Sequence, residues 1–251
     1  MASSHYPHGL KSLSPATAMG KVLQRLGGFR EVPLEKGSPY VQPASIRYEI
    51  DGKERGWDIV KAHPSVGVVL YHSALDAFIL VRQFRPAVYA ARRRAAEERG
   101  GPAPPKDAGF TFELCAGLVD KGGKSLEQIA AEEVEEECGY RVAPSALRSV
   151  ASAIASSGTT GAEHFIFYAA VDESMRVNPG GGLDGHGEAI EVLALPFSSA
   201  PAFVLDSSQP KSPGLMFGLL WARGALASGD VKGKKGGLET SPLELREVLP
   251  S

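Results

Sequence analysis

Cysteine is scarce in this chain of 251 residues, which contains two, Cys115 and Cys138. Two cysteines outside any metal-binding spacing do not make a disulfide scaffold or a zinc site, so we expect small buried thiols in a reducing compartment. Positive and negative charges nearly cancel, giving a formal net charge of −2. This balance argues against nucleic acid or an anionic membrane as a partner. No apolar run approaches the roughly 20 residues of a membrane span.

Acidic residues are absent from the first 30 positions, which hold several serines and four basic residues, Lys11, Lys21, Arg25 and Arg30. A transit peptide has this composition, and so does a disordered cytoplasmic N-terminus. We therefore expect ordered structure to begin near Phe29, with residues 1–28 disordered or targeting. The expected location is the cytoplasm, with an organelle as the alternative.

Apolar runs that contain β-branched residues predict a chain composed largely of β-strands. Residues 46–50 and 57–60 flank Asp51-Gly52, the composition of a tight hairpin turn. Further strands are predicted at residues 65–71, 77–82, 110–114, 147–155, 163–171 and 189–195. Helices are predicted at 126–138 and 213–226, and the Gly- and Pro-containing residues 91–108 predict an exposed loop. Mixed strands with two helices favour an α/β sandwich.

Five glutamates crowd the C-terminal end of the predicted helix 126–138, at positions 132, 133, 135, 136 and 137. Ser125 and Gln128 form a capping box that starts this helix, and Gly139 suits its end. The helix dipole is already negative at that end, and glutamates three or four residues apart repel one another. A bound divalent cation would relieve this repulsion.

Three of these glutamates would share one helix face. Glu133, Glu136 and Glu137 are spaced i, i+3 and i+4, so their carboxylates converge. Carboxylate oxygens suit hard ions such as Mg²⁺ or Mn²⁺, and Mg²⁺ commonly completes its shell with waters and phosphate oxygens. The alternative is a solvated acidic face that binds nothing. The strand–loop–helix setting favours the metal site.

The segment from Gly117 to Gly139 resembles the Nudix box, whose helix glutamates ligate Mg²⁺ or Mn²⁺ around a diphosphate. Residues 133–139, Glu-Val-Glu-Glu-Glu-Cys-Gly, match its second half. The resemblance implies metal roles for the three converging glutamates, Glu133, Glu136 and Glu137. Mg²⁺ is the expected ion, with Mn²⁺ as the alternative.

The first half of the box departs from the family pattern. Glu132 stands where the family has Arg, Lys124 stands where it has Glu, and Gly117 comes one residue early. We predict that Lys124 and Glu132 form an ion pair of reversed sign that keeps the loop against the helix. Glu135 is expected to face solvent.

Three further segments, residues 80–89, 113–120 and 179–192, are similar to the UDP-sugar pyrophosphatase branch of the Nudix hydrolases. The resemblance implies a Nudix α/β/α sandwich with a mixed sheet, an N-terminal β-hairpin extension and a homodimer. It also implies hydrolysis of UDP-glucose to UMP and glucose 1-phosphate. The alternatives are an ADP-ribose or ADP-sugar pyrophosphatase, and a nucleotide-binding module without catalysis. The expected parts are a dimerising extension at 29–62, the hydrolase domain at 63–227 and a disordered tail at 228–251.

The resemblance assigns further roles outside the box. Arg85 and Glu113 match substrate-binding residues of the related ADP-sugar enzymes, and the Ala116 carbonyl matches a backbone metal ligand. Trp57 matches a tryptophan that stacks on the base and comes from the partner subunit. A surface ion pair for Arg85 and simple packing for Trp57 are the alternatives.

An acidic residue after the Gly-rich loop is expected to accept a proton from water. Glu188 is the first candidate and Glu191 the second, because Glu191 falls inside a predicted strand. Together with the metal ligand Glu136, these are the predicted catalytic residues.

Overall fold

A mixed eight-stranded sheet forms the centre of the computed structural model, which describes residues 6–15, 18–34, 37–38, 41–182 and 189–231. The strands are β1 (Lys11–Ser12), β2 (Gln42–Ile50), β3 (Lys53–Lys61), β4 (Ser65–His72), β5 (Ala77–Phe84), β6 (Phe110–Glu113), β7 (Cys115–Leu118), β8 (Arg148–Ile154), β9 (Glu163–Val171) and β10 (Ile190–Pro196). The order in the large sheet is β1-β10-β5-β4-β9-β8, with β6 against β5 and β7 against β4. β4 and β9 run parallel, which makes the sheet mixed.

Strands β4 and β5 diverge, and β6 and β7 fill the space between them. β5 pairs with the end of β4 through residues 77–79 and with β6 through residues 81–84. The first half of β4, residues 65–68, pairs with β7 instead. This split places residues 110–118, which include the predicted site residues Glu113 and Ala116, in the middle of the sheet.

Helices cover both faces of the sheet. They are α1 (Ala18–Arg25), α2 (Pro86–Glu98), α3 (Leu126–Glu133), α4 (Ala200–Leu205) and α5 (Pro213–Ser228). On one face, Ile129 of α3 packs in a buried cluster with Val81, and we call this the α3 face. On the other, Leu215 of α5 packs in a second cluster with Leu80, and we call this the α5 face. The predicted α/β fold with a mixed sheet is confirmed.

Burial of these two clusters supplies the main stabilising term of the fold. Each fully buried Leu or Ile contributes about 1.5–3 kcal/mol. Successive strand residues alternate between the two faces, so a polar residue in a central strand is assigned to one face by its neighbours.

Within the described residues, no helix combines the length and the apolarity that crossing a membrane requires.

Strands β2 and β3 form a separate two-stranded sheet joined at Asp51-Gly52. Both turn residues have positive φ, 55° and 70°, the conformation that a two-residue hairpin turn of this kind requires. Nine residue pairs connect the strands, from Gln42 with Lys61 to Ile50 with Lys53. The Val60 N–H donates to the Thr159 carbonyl at 2.9 Å, which ties the hairpin to the loop between β8 and β9.

Ordered structure begins earlier than the expected position near Phe29. Lys11 and Ser12 pair with Ala194 and Leu193 of β10, and Leu10 is 4% exposed in the α5-face cluster. This pairing gives partners to backbone groups along β10, and the burial of Leu10 adds apolar contact. Composition led to the expectation of disorder, and composition does not report contacts between residues 180 positions apart.

The expected exposed loop at residues 91–108 is wrong over its first half, because residues 86–98 form α2. Pro86 suits a first helical turn, where its missing N–H is not needed. Alanine, arginine and glutamate, which dominate residues 90–98, have high helix propensity. Phe29 packs edge to face on Tyr89 at 4.9 Å between ring centroids, so α2 is also held by the N-terminal segment.

Candidate active site

The acidic helix begins and ends where the sequence predicts. The Ser125 hydroxyl accepts from the Gln128 N–H at 3.3 Å, and the Gln128 side chain accepts from the Ser125 N–H at 2.8 Å. This reciprocal cap satisfies two amides of the first turn. At the other end Gly139 has φ 80°, and a Cβ there would lie 2.2 Å from the Asn178 carbonyl oxygen. Glycine is therefore required at the helix end.

The last turn, Val134–Cys138, is a π turn instead of the unbroken α-helix expected to residue 138. A π turn holds more residues than an α turn and is frequent at functional sites. Three of the five glutamates, Glu135, Glu136 and Glu137, lie in it. The wider turn spreads like charges at the helix end where the dipole is least favourable to them.

Two of the three predicted metal ligands, Glu137 and Glu133, contact the backbone of β7. One oxygen of Glu137 accepts a hydrogen bond from the Ala116 N–H at 2.9 Å, and Glu137 is 6% exposed. The Glu133 carboxylate lies against Gly117, where a Cβ would be 2.2 Å from Glu133 Cδ and 2.3 Å from Oε1. A larger residue than glycine at position 117 would displace that carboxylate.

The buried thiol of Cys115 lies close to the same two carboxylates. Burial raises the pKa of Cys115, and a hydrogen bond with Cys138 and the charges of Glu137 and Glu133 raise it further. Both cysteines are free and buried, as the sequence predicts. The Glu133 and Glu137 carboxylates and the Cys138 thiol, all from the acidic helix, thus pack against the strand that carries Cys115.

The oxygen donors at β7 fit a hard divalent cation by their chemistry. The side chains of Glu133 and Glu136 are 14% and 32% exposed, so an ion held there would keep access to water. Across the part of the chain that the structure describes, no three His, Cys, Asp or Glu side chains form a group that could hold a metal ion. Glu133 and Glu137 both lie against β7, and Glu133 and Glu136 both lie near Lys121, but the three carboxylates do not form a closed coordination set.

A lysine ammonium lies among these carboxylates. Lys121 Nζ is 3.1 Å from Glu132 Oε2, 3.6 Å from Glu133 Oε1 and 3.8 Å from Glu136 Oε1. Burial lowers the pKa of Lys121, but its hydrogen bond to Glu132 and the charges of Glu133 and Glu136 outweigh burial, so the pKa is raised. Sequence reasoning missed Lys121, because only the fold of the Gly122-Gly123 loop brings it back over the helix.

The predicted pair of reversed sign is confirmed, since Lys124 Nζ lies 2.5 Å from Glu132 Oε1. Hydrogen bonds from Lys124 and Lys121 lower the pKa of Glu132. Glu135 has a partner that the sequence did not suggest. Arg141 Nε and Nη2 donate to its two oxygens at 2.9 and 2.8 Å, so Glu135 is paired and one-third exposed.

The side chain of Arg85, the residue after β5, reaches along the strand pair to Glu113, the last residue of β6. Arg85 Nε donates to Glu113 Oε1 at 2.8 Å and Nη2 to Oε2 at 2.5 Å, a two-point contact of planar groups. Glu113 is opposite Val81, which places it on the α3 face with the acidic helix. The buried Thr111, which sequence reasoning missed, donates its hydroxyl to Glu113 Oε1 at 2.5 Å. Its signal is strand alternation, because Thr111 and Glu113 are two residues apart.

No protein-family model matches this chain. It is 44% identical to uridine diphosphate glucose pyrophosphatase of Bos taurus over 204 residues, which cover 76% of the chain and 92% of that protein. The chain belongs to the Nudix hydrolases. The enzyme of the same description from Mus musculus is 39% identical over 211 residues, covering 79% of this Nudix hydrolase and 95% of the relative. The GDP-mannose pyrophosphatase of Pectobacterium atrosepticum is 37% identical over 139 residues, which cover 55% of this chain and 62% of that protein.

Glu191, the second predicted proton acceptor of this Nudix hydrolase, lies on the α5 face and not beside the acidic helix. It pairs with Arg82 in β5, whose Nε and Nη2 lie 2.9 and 2.8 Å from Glu191 Oε2. The Tyr6 hydroxyl donates to the other oxygen. The prediction of a catalytic role for Glu191 is therefore not supported by its position. Its position after a Gly-rich sequence gave no information on which face of the sheet its side chain takes.

Trp57 of this Nudix hydrolase lies in β3 and is 52% exposed. Its indole N–H donates to the Gly158 carbonyl at 2.9 Å, which fixes the ring beside the loop between β8 and β9. About half of the side chain stays open to solvent. Glu188, the first predicted proton acceptor, lies outside the described residues.

Proposed function

We propose that this Nudix hydrolase cleaves the diphosphate bond of UDP-glucose with water, giving UMP and glucose 1-phosphate. The observation that carries the proposal is the 44% identity to the Bos taurus protein named for that substrate, over 92% of its length. The relatives named for GDP-mannose match a shorter part, 62% of the Pectobacterium atrosepticum protein. UDP-glucose is therefore favoured over GDP-mannose.

The proposed cofactor is Mg²⁺, with Mn²⁺ as the alternative. Glu133, Glu136, Glu137 and the Ala116 carbonyl would hold it, and the contacts of Glu133 and Glu137 with β7 support this set. When bound, such an ion neutralises charge on the bridging phosphates and lowers the pKa of a coordinated water. The capped helix and its π turn hold the carboxylates at β7 before substrate arrives, so little ordering is left for the reaction.

Arg85 is proposed to bind a phosphate oxygen of the substrate. Its guanidinium is held by Glu113 through two hydrogen bonds, which fixes its plane, while its side chain stays 44% exposed. A fixed guanidinium stabilises negative charge that develops on the phosphate in the transition state. Contact of Glu113 itself with substrate stays a prediction.

Glu188 is proposed as the group that accepts a proton from the attacking water. The commitment of Glu191 to Arg82 and Tyr6 on the α5 face supports Glu188 over Glu191. The sequence before Glu188 is rich in glycine, a composition typical of segments that close over a substrate. Glu136 would then serve catalysis as a metal ligand.

A homodimer that uses the β2–β3 hairpin, in the expected extension at residues 29–62, is also proposed. One face of the hairpin carries four apolar residues that are 41–52% exposed, Ile46, Tyr48, Ile50 and Trp57. An isolated hairpin is marginally stable in water, so an apolar face of this kind favours burial against another surface. Trp57 would stack on the uracil base bound by the other subunit. The cytoplasmic location stays a prediction.

The test is a substrate panel with purified full-length protein and Mg²⁺, in which phosphate release is measured after phosphatase coupling. UDP-glucose should turn over fastest among UDP-glucose, UDP-galactose, ADP-ribose, ADP-glucose and GDP-mannose, and EDTA should stop the reaction. Glu137→Gln should lower kcat at least about 100-fold, because it removes one charged ligand. The matched control Glu127→Gln, in the first turn of α3, should keep activity. Faster cleavage of ADP-ribose would favour the ADP-sugar alternative, and binding without hydrolysis would favour the non-catalytic one.

A further inference from the structure

Lys121 and Lys124 flank the Gly122-Gly123 loop, but they contact different parts of the acidic helix. Lys124 pairs with Glu132, the residue that departs from the family pattern. Lys121 also contacts Glu132, and its ammonium lies within 4 Å of Glu133 and Glu136 as well. The Glu133 oxygen nearest the ammonium, Oε1, belongs to the carboxylate that rests on Gly117. A single lysine therefore reaches two of the proposed metal ligands.

The charge of Lys121 does part of what a divalent cation does at this helix end. Five glutamates lie within six positions at the negative end of the helix dipole, and their repulsion destabilises the turn. An ammonium among three of them offsets that repulsion. Because lysine is a point charge on a flexible four-carbon stem, it can hold several carboxylates without fixed geometry and can withdraw from them.

The ammonium and a divalent ion would compete for the same oxygens. Mg²⁺ binds carboxylate oxygen at about 2.0–2.1 Å, so an ion on Glu133 or Glu136 would lie only a few ångströms from the Lys121 Nζ. Two like charges that close repel strongly even at the dielectric of a protein surface. Loading of the ion therefore requires the lysine to move away, and the free energy of its contacts is subtracted from that of ion binding.

We propose that Lys121 is a built-in counter-ion of the acidic helix that holds Glu133 and Glu136 without metal and weakens the affinity of the site for its divalent cation. The inference rests on the proposed metal role of these glutamates and extends it. Lys121 acts through the ligands and is a positioning residue. Lys124, with the same charge three residues away, is not expected to act on the ion to the same extent.

Mn²⁺ binding to the full-length protein without nucleotide tests the proposal, by calorimetry or by the electron paramagnetic resonance of free Mn²⁺. Lys121→Met should lower the Kd for Mn²⁺ about five- to tenfold, within the ordinary range of coupling between sites. Lys124→Met removes an equal charge and should change the Kd less than about twofold, while Lys121→Arg should stay close to wild type. The difference between Lys121→Met and wild type should shrink with added salt, because the screening length falls to about 3 Å at 1 M.

Thermal unfolding gives a second readout that does not depend on activity. Without metal, Lys121→Met should have a lower Tm than wild type, and saturating Mn²⁺ should raise its Tm more than it raises that of wild type. Lys121→Gln serves as a second neutral variant if the methionine variant folds poorly.

The direction of the change in Mn²⁺ affinity distinguishes the proposed role of Lys121 from damage to the fold. Damage would weaken Mn²⁺ binding, whereas the proposal requires tighter binding. An unchanged or higher Kd in both neutral variants, with wild type still binding Mn²⁺, overturns the role of Lys121 and leaves the proposed function standing. Equal tightening by Lys124→Met overturns it too, because the effect would then be one of net charge. Wild-type protein that binds no Mn²⁺ overturns both the proposed metal site and this inference.

Discussion

Glutamates paired with cations lie on both faces of the sheet, and one pair from each face shows a clear difference in burial. On the α5 face, Glu191 and Arg82 are 6% and 14% exposed. On the α3 face, Lys121 and Glu132 are about one-third exposed, at 33% and 34%. Breaking a buried pair by removing one partner costs about 3–5 kcal/mol, while an exposed pair is worth about 0–1 kcal/mol. The Arg82–Glu191 pair therefore stabilises the fold, whereas the pairing of Lys121 with Glu132 can be exchanged at little cost in stability.

The largest expected effect separates two arginines on opposite faces, three residues apart. Arg82→Met should lower the free energy of unfolding by about 3–5 kcal/mol, because Glu191 would be left as a buried charge without its partner. Its kcat/KM per folded molecule should stay within about twofold of wild type. Arg85→Met should lower kcat/KM about 100-fold, as loss of one charged contact to the reacting group does, with a smaller stability loss. Denaturant unfolding and steady-state kinetics measure both quantities.

A loss of activity in Arg82→Met together with a loss of stability alone in Arg85→Met would contradict the roles assigned to the two faces. A catalytic defect in Arg82→Met without lost stability would bring Glu191 back as a candidate for the reaction. The charge-keeping variant Arg82→Lys is the control, because it retains a partner for Glu191 and should lose less stability than Arg82→Met.

A second prediction concerns the contact between Gly117 and Glu133. Gly117→Ala places a Cβ where the Glu133 carboxylate lies, with 2.2 Å to Glu133 Cδ, so the carboxylate or the strand must shift. A displacement of about 1 Å at a reacting centre can lower the rate about 100-fold, and we expect that loss in kcat. Kinetics at saturating Mg²⁺ measure it.

Gly122→Ala is the matched control for that substitution. A Cβ at position 122 meets nothing within 4 Å, so activity should be unchanged. Wild-type kcat in Gly117→Ala would show that the Glu133 carboxylate does not need its place against β7.

The smallest expected effect tests Thr111, which holds Glu113 and through it Arg85. Thr111→Val keeps the shape of the side chain and removes the hydroxyl that Glu113 accepts from. One such hydrogen bond contributes about 0.5–1.5 kcal/mol. We expect the KM for UDP-glucose to rise about fivefold, equivalent to about 1 kcal/mol, with kcat changed less than twofold. A change in stability alone, with KM at the wild-type value, would assign Thr111 to packing.

Local features of the site follow from the sequence because their partners are close in the chain. Ser125 and Gln128 are three residues apart and cap the helix as expected. Lys124 and Glu132 are eight apart and pair across one loop. The hairpin turn at Asp51-Gly52 requires positive φ, which those residue types tolerate. In each case one short-range interaction dominates its alternatives.

Longer-range features could not be read in the same way. Strand alternation by itself does not say which face of the sheet Glu191 takes, and that depends on the register of β10 against β5. The pairing of residues 11 and 12 with β10 joins parts of the chain about 180 positions apart. Prediction of α2 failed for another reason, since glycine and proline at 100–105 were given more weight than the helix formers before them.

The sequence by itself determined the acidic helix, its cap, its end and the family to which the chain belongs, because these depend on residue type and short spacing. The tertiary structure decided which carboxylates meet at β7, which glutamate is buried on the other face, and which lysine lies among the proposed metal ligands. The physical reason is the range of the forces involved. Capping and helix repulsion act within one or two turns, whereas burial and ion pairing depend on where the sheet brings distant segments together.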